Sequence, residues 1–159
     1  MIQTYKGDLL DCQRGFIIHG CNALGVMGSG VARGVKARFP QAFNVYQASF
    51  MMPTVKPKVG DLTIVQVAPE LFIVNAITQD SVGTGIQVSY LGIELAFGKL
   101  QEVADMFDPR QVLPICFPLI GAGRGGGDWA TIAQLIEQPL WQGRKLLLHV
   151  VDAEPTYCA

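Results

Sequence analysis

Apolar and polar positions along this chain switch between a spacing of two and a spacing of three to four, and the switches mark its elements. Ile2-Gln-Thr-Tyr5 alternates and is broken by Lys6-Gly7-Asp8, which predicts a short strand and a turn. Phe16-Ile-Ile-His19 is uniformly apolar up to its histidine, as in a strand buried on both faces. A glycine-rich passage from Gly20 to Gly30 leads into a helical stretch that runs to Phe39 and stops at Pro40. Gln41 to Met51 predicts a further helix. Leu62 to Val67 and Leu71 to Asn75 flank Ala68-Pro69-Glu70 and predict a β-hairpin, with Ala76 to Asp80 leaving its second strand. The longest helix follows, with Val88, Leu91, Leu95, Ala96, Leu100, Val103 and Phe107 as its apolar face and Pro109 as its end. Val112 to Phe117 predicts another buried strand, Trp129 to Ile136 a helix, and Lys145 to Val151 the last strand.

Strands alternating with helices, plus one hairpin, predict an α/β fold: a mixed sheet with helices on both faces, residues 1–159 forming one domain. In such folds ligands sit beyond the carboxyl ends of the strands. That rule gathers Asp8, Asn22 to Gly30, Gln79-Asp80 and Gly121 to Gly127 at one rim. Ten of the eighteen glycines fall in 20–34 and 121–127, which concentrates conformational freedom where chains meet ligands. In Gly121-Ala-Gly123-Arg-Gly-Gly126, a strand enters, glycines follow, and Asp128 offers a helix cap. Strand, glycine loop and helix start make an anion site, because backbone N–H groups turn inward unobstructed. The stretch formally satisfies the dinucleotide pattern G-x-G-x-x-G, but the 33 residues after Gly126 leave room for only a helix and a strand. No nucleoside-triphosphatase P-loop motif is present. Two such loops facing one crevice suit a ligand with a diphosphate.

Composition narrows the partners. The formal charge is −1, without a basic block, which argues against general nucleic-acid binding. No apolar run reaches membrane-spanning length and the N-terminus lacks a signal-peptide layout, so the chain reads as cytoplasmic with no membrane partner. Cys12, Cys21, Cys116 and Cys158 lack C-x-x-C pairing and read as free thiols. His19 and His149 show no metal-ligand spacing, so no metal and no cofactor is expected. His149, inside an apolar run, reads as a sheet residue.

Four blocks in order, Lys6-Gly7-Asp8-Leu9-Leu10, Ile18-His19-Gly-Cys-Asn22, Gly25-Val-Met-Gly28-Ser-Gly30-Val-Ala and Pro118-Leu-Ile-Gly121-Ala-Gly123 with Asp128-Trp129, resemble a macrodomain over nearly the whole chain. Macrodomains are three-layer α/β/α domains that bind ADP-ribose. The resemblance implies that Asp8 and Leu9 meet the adenine, with Asn22 beside the distal ribose. It implies that Gly28, Ser29, Gly30, Val31 and Ala32, with Gly121, Ala122, Gly123, Arg124, Gly125 and Gly126, hold the diphosphate and distal ribose. Gly7, Met27, Leu119 and Ile120 complete the expected substrate-binding set, and Tyr157 is a candidate to stack on adenine. His19-Gly-Cys-Asn22 and Trp129 are most similar to the group that hydrolyses ADP-ribose 1″-phosphate. Related ADP-ribosyl hydrolases use a lysine after the middle strand and, in some members, an acid in the second loop; Gln79-Asp80 and Gly125 stand there instead.

For phosphomonoester hydrolysis, loop amides supply charge stabilisation without a metal. His19 is then the candidate nucleophile or general acid–base, with Asp80 to orient it or activate water, and Asn22 completes the catalytic set. Cys21 shares a strand face with His19 and is an alternative nucleophile. A binding module that holds ADP-ribose or a related signalling nucleotide without turnover, or an ADP-ribosyl hydrolase, remains the alternative.

Overall fold

The computed structural model describes residues 1–83, 86–123 and 125–151; Arg124, Tyr157 and Cys158 lie outside the described residues. The strands are β1 (Ile2–Lys6), β2 (Gly15–Asn22), β3 (Leu62–Ala68), β4 (Leu71–Gln79), β5 (Ile115–Phe117) and β6 (Leu146–Val150). The helices are α1 (Gly30–Arg38), α2 (Pro40–Ala48), α3 (Tyr90–Phe107) and α4 (Trp129–Glu137), with one-turn 3₁₀ segments at Leu9–Asp11 and Ser49–Met51. One sheet of order β1-β6-β5-β2-β4-β3 runs through the middle, all neighbours parallel except β3, which returns antiparallel on β4. This is the mixed sheet with helices on both faces that the alternation of patterns predicts.

The period of two along β2 explains the layering. Phe16 and Ile18 enter one core with Phe97, Leu100, Phe117, Ile132 and Ile136, which is the α3/α4 side. Ile17 packs with Val35 and Ala42 on the α1/α2 side, and Cys21 joins Met27, Tyr46 and Ile77 there. A central parallel strand buried on both faces has no polar side to show, which is why its sequence is a continuous apolar run. Pro118 supplies no N–H to a ladder and β5 ends just before it, at three residues. Pro40 opens α2 directly after α1, since its absent N–H costs nothing at a first helical position.

Three expectations shift. β4 continues through Ala76 to Gln79, with its first eight residues buried, because β2 pairs with it from Gly15↔Leu71 to Asn22↔Gln79. α3 starts at Tyr90, where Ser89 accepts from Gly92 N–H at 3.0 Å, and not at Val88. Its core face is Ile93, Ala96, Phe97, Leu100 and Ala104, whereas Leu91, Leu95 and Phe107 are exposed. The helix carries apolar residues on more than one stripe, and contact with the sheet chooses between them.

Far from the rim, Arg144 is fully buried and ties the end of α3 to the β5–β6 side. Its Nη1 donates to Asp108 Oδ2 (2.7 Å) and Leu113 O (2.8 Å), and its Nη2 to Asp105 Oδ1 (2.8 Å) and Asp108 O (3.2 Å). Asp108 Oδ2 also accepts from Leu113 N–H at 2.8 Å. Among the described residues, no helix is long and apolar enough to cross a membrane.

Candidate functional site

The carboxyl ends of β1, β2, β4 and β5 meet the chain segments around Asp8, Gly28, Asp80 and Gly121, so parallel topology puts the expected blocks along one rim. A cleft of about 270 Å³ opens at the end of β2. Its walls include Asn22, Met27, Gly28, Ser29, Ala32 and Gln79. Gly20, Cys21, Val26 and Val82 also face it; none of these four is in the expected binding set, and no pattern in the sequence marks Val82.

Asn22 organises this wall. Its Oδ1 accepts from Leu24 N–H (3.0 Å) and the Tyr46 hydroxyl (3.0 Å), and its Nδ2 donates to Val26 O (2.9 Å). The side chain thereby folds the turn 23–26, which then leads to Gly28 and α1, and one of the two Nδ2 hydrogens is used in doing so. Ser29 is the N-cap residue of α1, yet its side chain makes no capping bond. The first N–H bonded inside the helix is that of Arg33, to Ser29 O at 3.2 Å. The N–H groups of Gly30, Val31 and Ala32 are thus left with the helix dipole beside the cleft, an arrangement that favours an anion. An added Cβ at Gly28 would meet nothing within 4 Å, so this position looks onto open space.

The second glycine loop is built differently. Gly127 N–H donates to Gly121 O (2.8 Å), Gly126 N–H to Gly123 O (3.1 Å), and Ala122 N–H to Leu119 O (3.0 Å). Gly125 O accepts from Gln87 N–H (2.8 Å) and Val88 N–H (3.0 Å), fastening the loop to the segment before α3. The N–H groups of Gly121, Gly123 and Gly125 bond to no other described residue. The helix after this loop begins with the cap that the sequence offers. Asp128 closes α4, accepting from Thr131 N–H (3.0 Å) and from its hydroxyl (2.7 Å).

His19 does not stand at the rim. It lies three residues inside β2, fully buried, and its Nε2 is 2.7 Å from Asn75 Oδ1. Asn75 Nδ2 donates to Ala42 O and Thr63 Oγ1, both at 3.0 Å, so its oxygen faces His19 and Nε2 carries the proton. Burial pushes the imidazole down to about 4, against a smaller upward pull from Asn75, so the ring is neutral at pH 7. Asp80 follows β4, five residues beyond Asn75 and roughly 16 Å along the strand at ~3.3 Å per residue. That distance separates it from His19, although Asp80 itself is exposed beside Gln79. Cys21 Sγ lies 3.8 Å from His19 Nε2, but burial pushes the thiol up, away from the thiolate a nucleophile needs.

The other expected residues divide by what they can offer. Asp8 is exposed and caps the first 3₁₀ turn, accepting from Leu10 N–H at 2.9 Å. Leu9, Met27, Leu119 and Ile120 are buried in the cores, with Met27 also bordering the cleft. Gly7 N–H is bonded to Val150 O (2.7 Å) at the end of β6. Val31 is half-buried against the core of the α1 side.

No protein-family model matches the chain. The structure superposes on that of a macrodomain protein from Streptomyces coelicolor with a TM-score of 0.79, at 26% identity, covering 97% of this chain and 100% of that one. The chain has the macrodomain fold. The fold also resembles that of a Thermosipho africanus DarTG structure in complex with ADP-ribose (TM-score 0.74, 18% identity, 93% of this chain and 40% of that one). Among curated relatives, a DNA ADP-ribosyl glycohydrolase from Mycobacterium tuberculosis is 26% identical over 137 residues, 84% of this chain. The chain spans only 37% of that relative's length. An ADP-ribose 1″-phosphate phosphatase from Aspergillus oryzae is 40% identical over 48 residues, 30% of this chain and 24% of that protein.

Proposed function

We propose that this macrodomain binds ADP-ribose, with the diphosphate at the N-terminus of α1. The observation that carries the reading is the start of α1, without a side-chain cap, facing a cleft. One phosphate would take the Gly30, Val31 and Ala32 N–H groups together with the dipole, and Gly121, Gly123 and Gly125 would supply further donors across the rim. Asp8, whose Oδ2 makes no hydrogen bond among the described residues, would accept from an adenine amino group. The distal ribose would lie towards Asn22, Gln79 and Asp80. ADP-ribose appears in the names of the curated relatives and in a structural neighbour's complex, which supports this ligand.

Turnover is the second reading, and the exposed Asp80 carboxylate at the cleft end of β4 favours it. With His19 neutral and enclosed, Asp80 is the group left to activate water. Either a phosphate on the distal ribose or an ADP-ribosyl link to DNA would present its reacting atom on that side. The relatives include both activities, the glycohydrolase over most of this chain and the phosphatase over a short stretch.

Calorimetric titration of ADP-ribose into the parent and Gly28→Glu tests the binding reading. The parent should bind, and the glutamate, pointing into open space beside the anion site, should abolish binding without unfolding. Equal affinity of the two proteins would move the diphosphate elsewhere. Phosphate release from ADP-ribose 1″-phosphate and ADP-ribose release from ADP-ribosylated DNA, each measured for parent and Asp80→Asn, decide between the two reactions and no reaction.

A further inference from the structure

On the opposite strand flank, three elements bring two thiols and an imidazole together. Cys12 ends the turn that follows β1, Cys116 is the middle residue of β5, and His149 lies in β6. Cys116 pairs in register with Leu147, and a period of two places His149 on the same side of the sheet. Leu147 and Cys116 both belong to the α1/α2 core, so His149 points to that face too, beneath the turn carrying Cys12. Cys12 Sγ lies 3.4 Å from His149 Nε2, and the three ligand atoms are all within 4.8 Å of one another. Tyr5 stacks on the imidazole at 5.8 Å and 19°, fixing its plane.

We propose that Cys12, Cys116 and His149 form a site for one zinc-class cation, bound through two Sγ atoms and Nε2.

The distances fit that chemistry. Zinc bonds of about 2.3 Å to sulfur and 2.0–2.1 Å to nitrogen, at tetrahedral angles, put sulfur about 3.8 Å from sulfur and about 3.5 Å from nitrogen. The observed 3.4 Å matches the second figure, and a closest spread of 4.8 Å leaves only small side-chain shifts to close the triangle. Two thiolates with one imidazole select soft or borderline cations over magnesium or calcium. Cys116 is buried while Cys12 and His149 are half-buried, so the fourth position faces outward and would be filled by water. The sequence separation of 104 residues between Cys12 and Cys116 hid this trio from spacing rules, because parallel β5–β6 pairing creates it.

The consequence reaches the ligand rim. Cys12 is four residues beyond Asp8, and its N–H donates to Leu9 O at 3.2 Å, closing the 3₁₀ turn. A cation would staple this turn to β5 and β6, and so fix one wall of the rim from behind. The metal site does not depend on what the rim binds.

The test is a titration of the full chain, reduced with a phosphine, by cobalt(II) followed in absorbance. One equivalent should produce thiolate-to-cobalt charge transfer and the visible bands of tetrahedral cobalt, bleached by one equivalent of zinc. Cys12→Ala should remove at least half of the charge-transfer intensity and weaken zinc by 100-fold or more. His149→Gln should weaken it comparably, and Cys21→Ala should leave both readouts unchanged. Cys12 and His149 are only half-buried, so these variants should keep the parent's far-ultraviolet dichroism. A reduced parent with no thiolate band would overturn the proposal. So would an undiminished band in folded Cys12→Ala, or a Cys12–Cys116 disulfide whose reduction yields no cobalt binding.

Discussion

The hydroxyl of Tyr46 lies 2.6 Å from the backbone oxygen of Asn22 and 3.0 Å from its side-chain oxygen. A residue of α2 thus holds both acceptors of the asparagine that shapes the cleft. Burial pushes the phenol up, so it stays a donor throughout the physiological range.

Removing that hydroxyl should loosen the turn without emptying the core. Tyr46→Phe should cost about 1–2 kcal/mol of stability, since buried acceptors lose a partner. It should also weaken ADP-ribose about tenfold or more, because Gly28 and α1 are positioned from Asn22. Denaturant unfolding and calorimetry on one protein batch check both halves; unchanged affinity would separate the turn from the ligand.

His19 should make stability depend on pH. Its folded-state value of about 4 lies below the unfolded value of 6.5, so the unfolded chain binds the extra proton between them. Stability from this group is complete above pH 6.5 and is lost as pH falls towards 4, by up to about 3 kcal/mol. The parent should therefore lose stability between pH 7 and 4.5 more steeply than folded His19→Asn. Parallel slopes in urea unfolding at the two pH values would show that the imidazole is already charged in the folded state. In the same variant, ADP-ribose affinity should survive within a few-fold.

Glycines at the rim should not be equivalent. Gly28→Glu should melt close to the parent, because the new side chain meets nothing within 4 Å. Gly121→Ala should be destabilised by several kcal/mol. Its φ of +78° disfavours any side chain, and the Cβ would stand 2.6 Å from Val88 Cγ2. Gly126, with φ +73°, would mix strain with any effect on binding. Thermal melts of the Gly28 and Gly121 variants, with and without ADP-ribose, distinguish a blocked site from a damaged one.

The Arg144 network should be the most sensitive polar element away from the rim. Asp108→Ala leaves a buried guanidinium with one carboxylate instead of two and Leu113 N–H without its acceptor. The expected loss is about 3–5 kcal/mol. Asp61→Ala, which breaks exposed pairs with Lys58 and Lys99, should cost under about 1 kcal/mol per pair. Similar losses in the two variants would contradict this assignment.

The fold was legible wherever one physical pressure acted alone. β2 and β4 announce themselves because burial on both faces leaves no polar alternation. Pro40 marks the end of α1 and Asp128 the start of α4 by local chemistry. The α3 face was misread because the helix offers several apolar stripes and only the sheet selects one. In the site, glycine density located both loops and Asp128 offered the cap of α4, but nothing in the sequence says that Ser29 leaves the start of α1 without a side-chain cap. His19 looked like a rim residue since the strand's end is set by pairing with β4, which carries β2 three residues further to Asn22. Tyr46 gave no signal at all: its partner is 24 positions away and only packing unites them.

The bond from Gln87 and Val88 to the carbonyl of Gly125 has a consequence for anyone recombining this scaffold. The glycine loop after β5 and the lead-in to α3 are one cassette, although 37 residues separate Val88 from Gly125. Transplanting 121–127 from a distant relative would bring in a carbonyl aimed for a different clasp. A graft that carries 86–88 along with the loop should fold; a graft of the loop alone should leave two buried or half-buried amides seeking an acceptor.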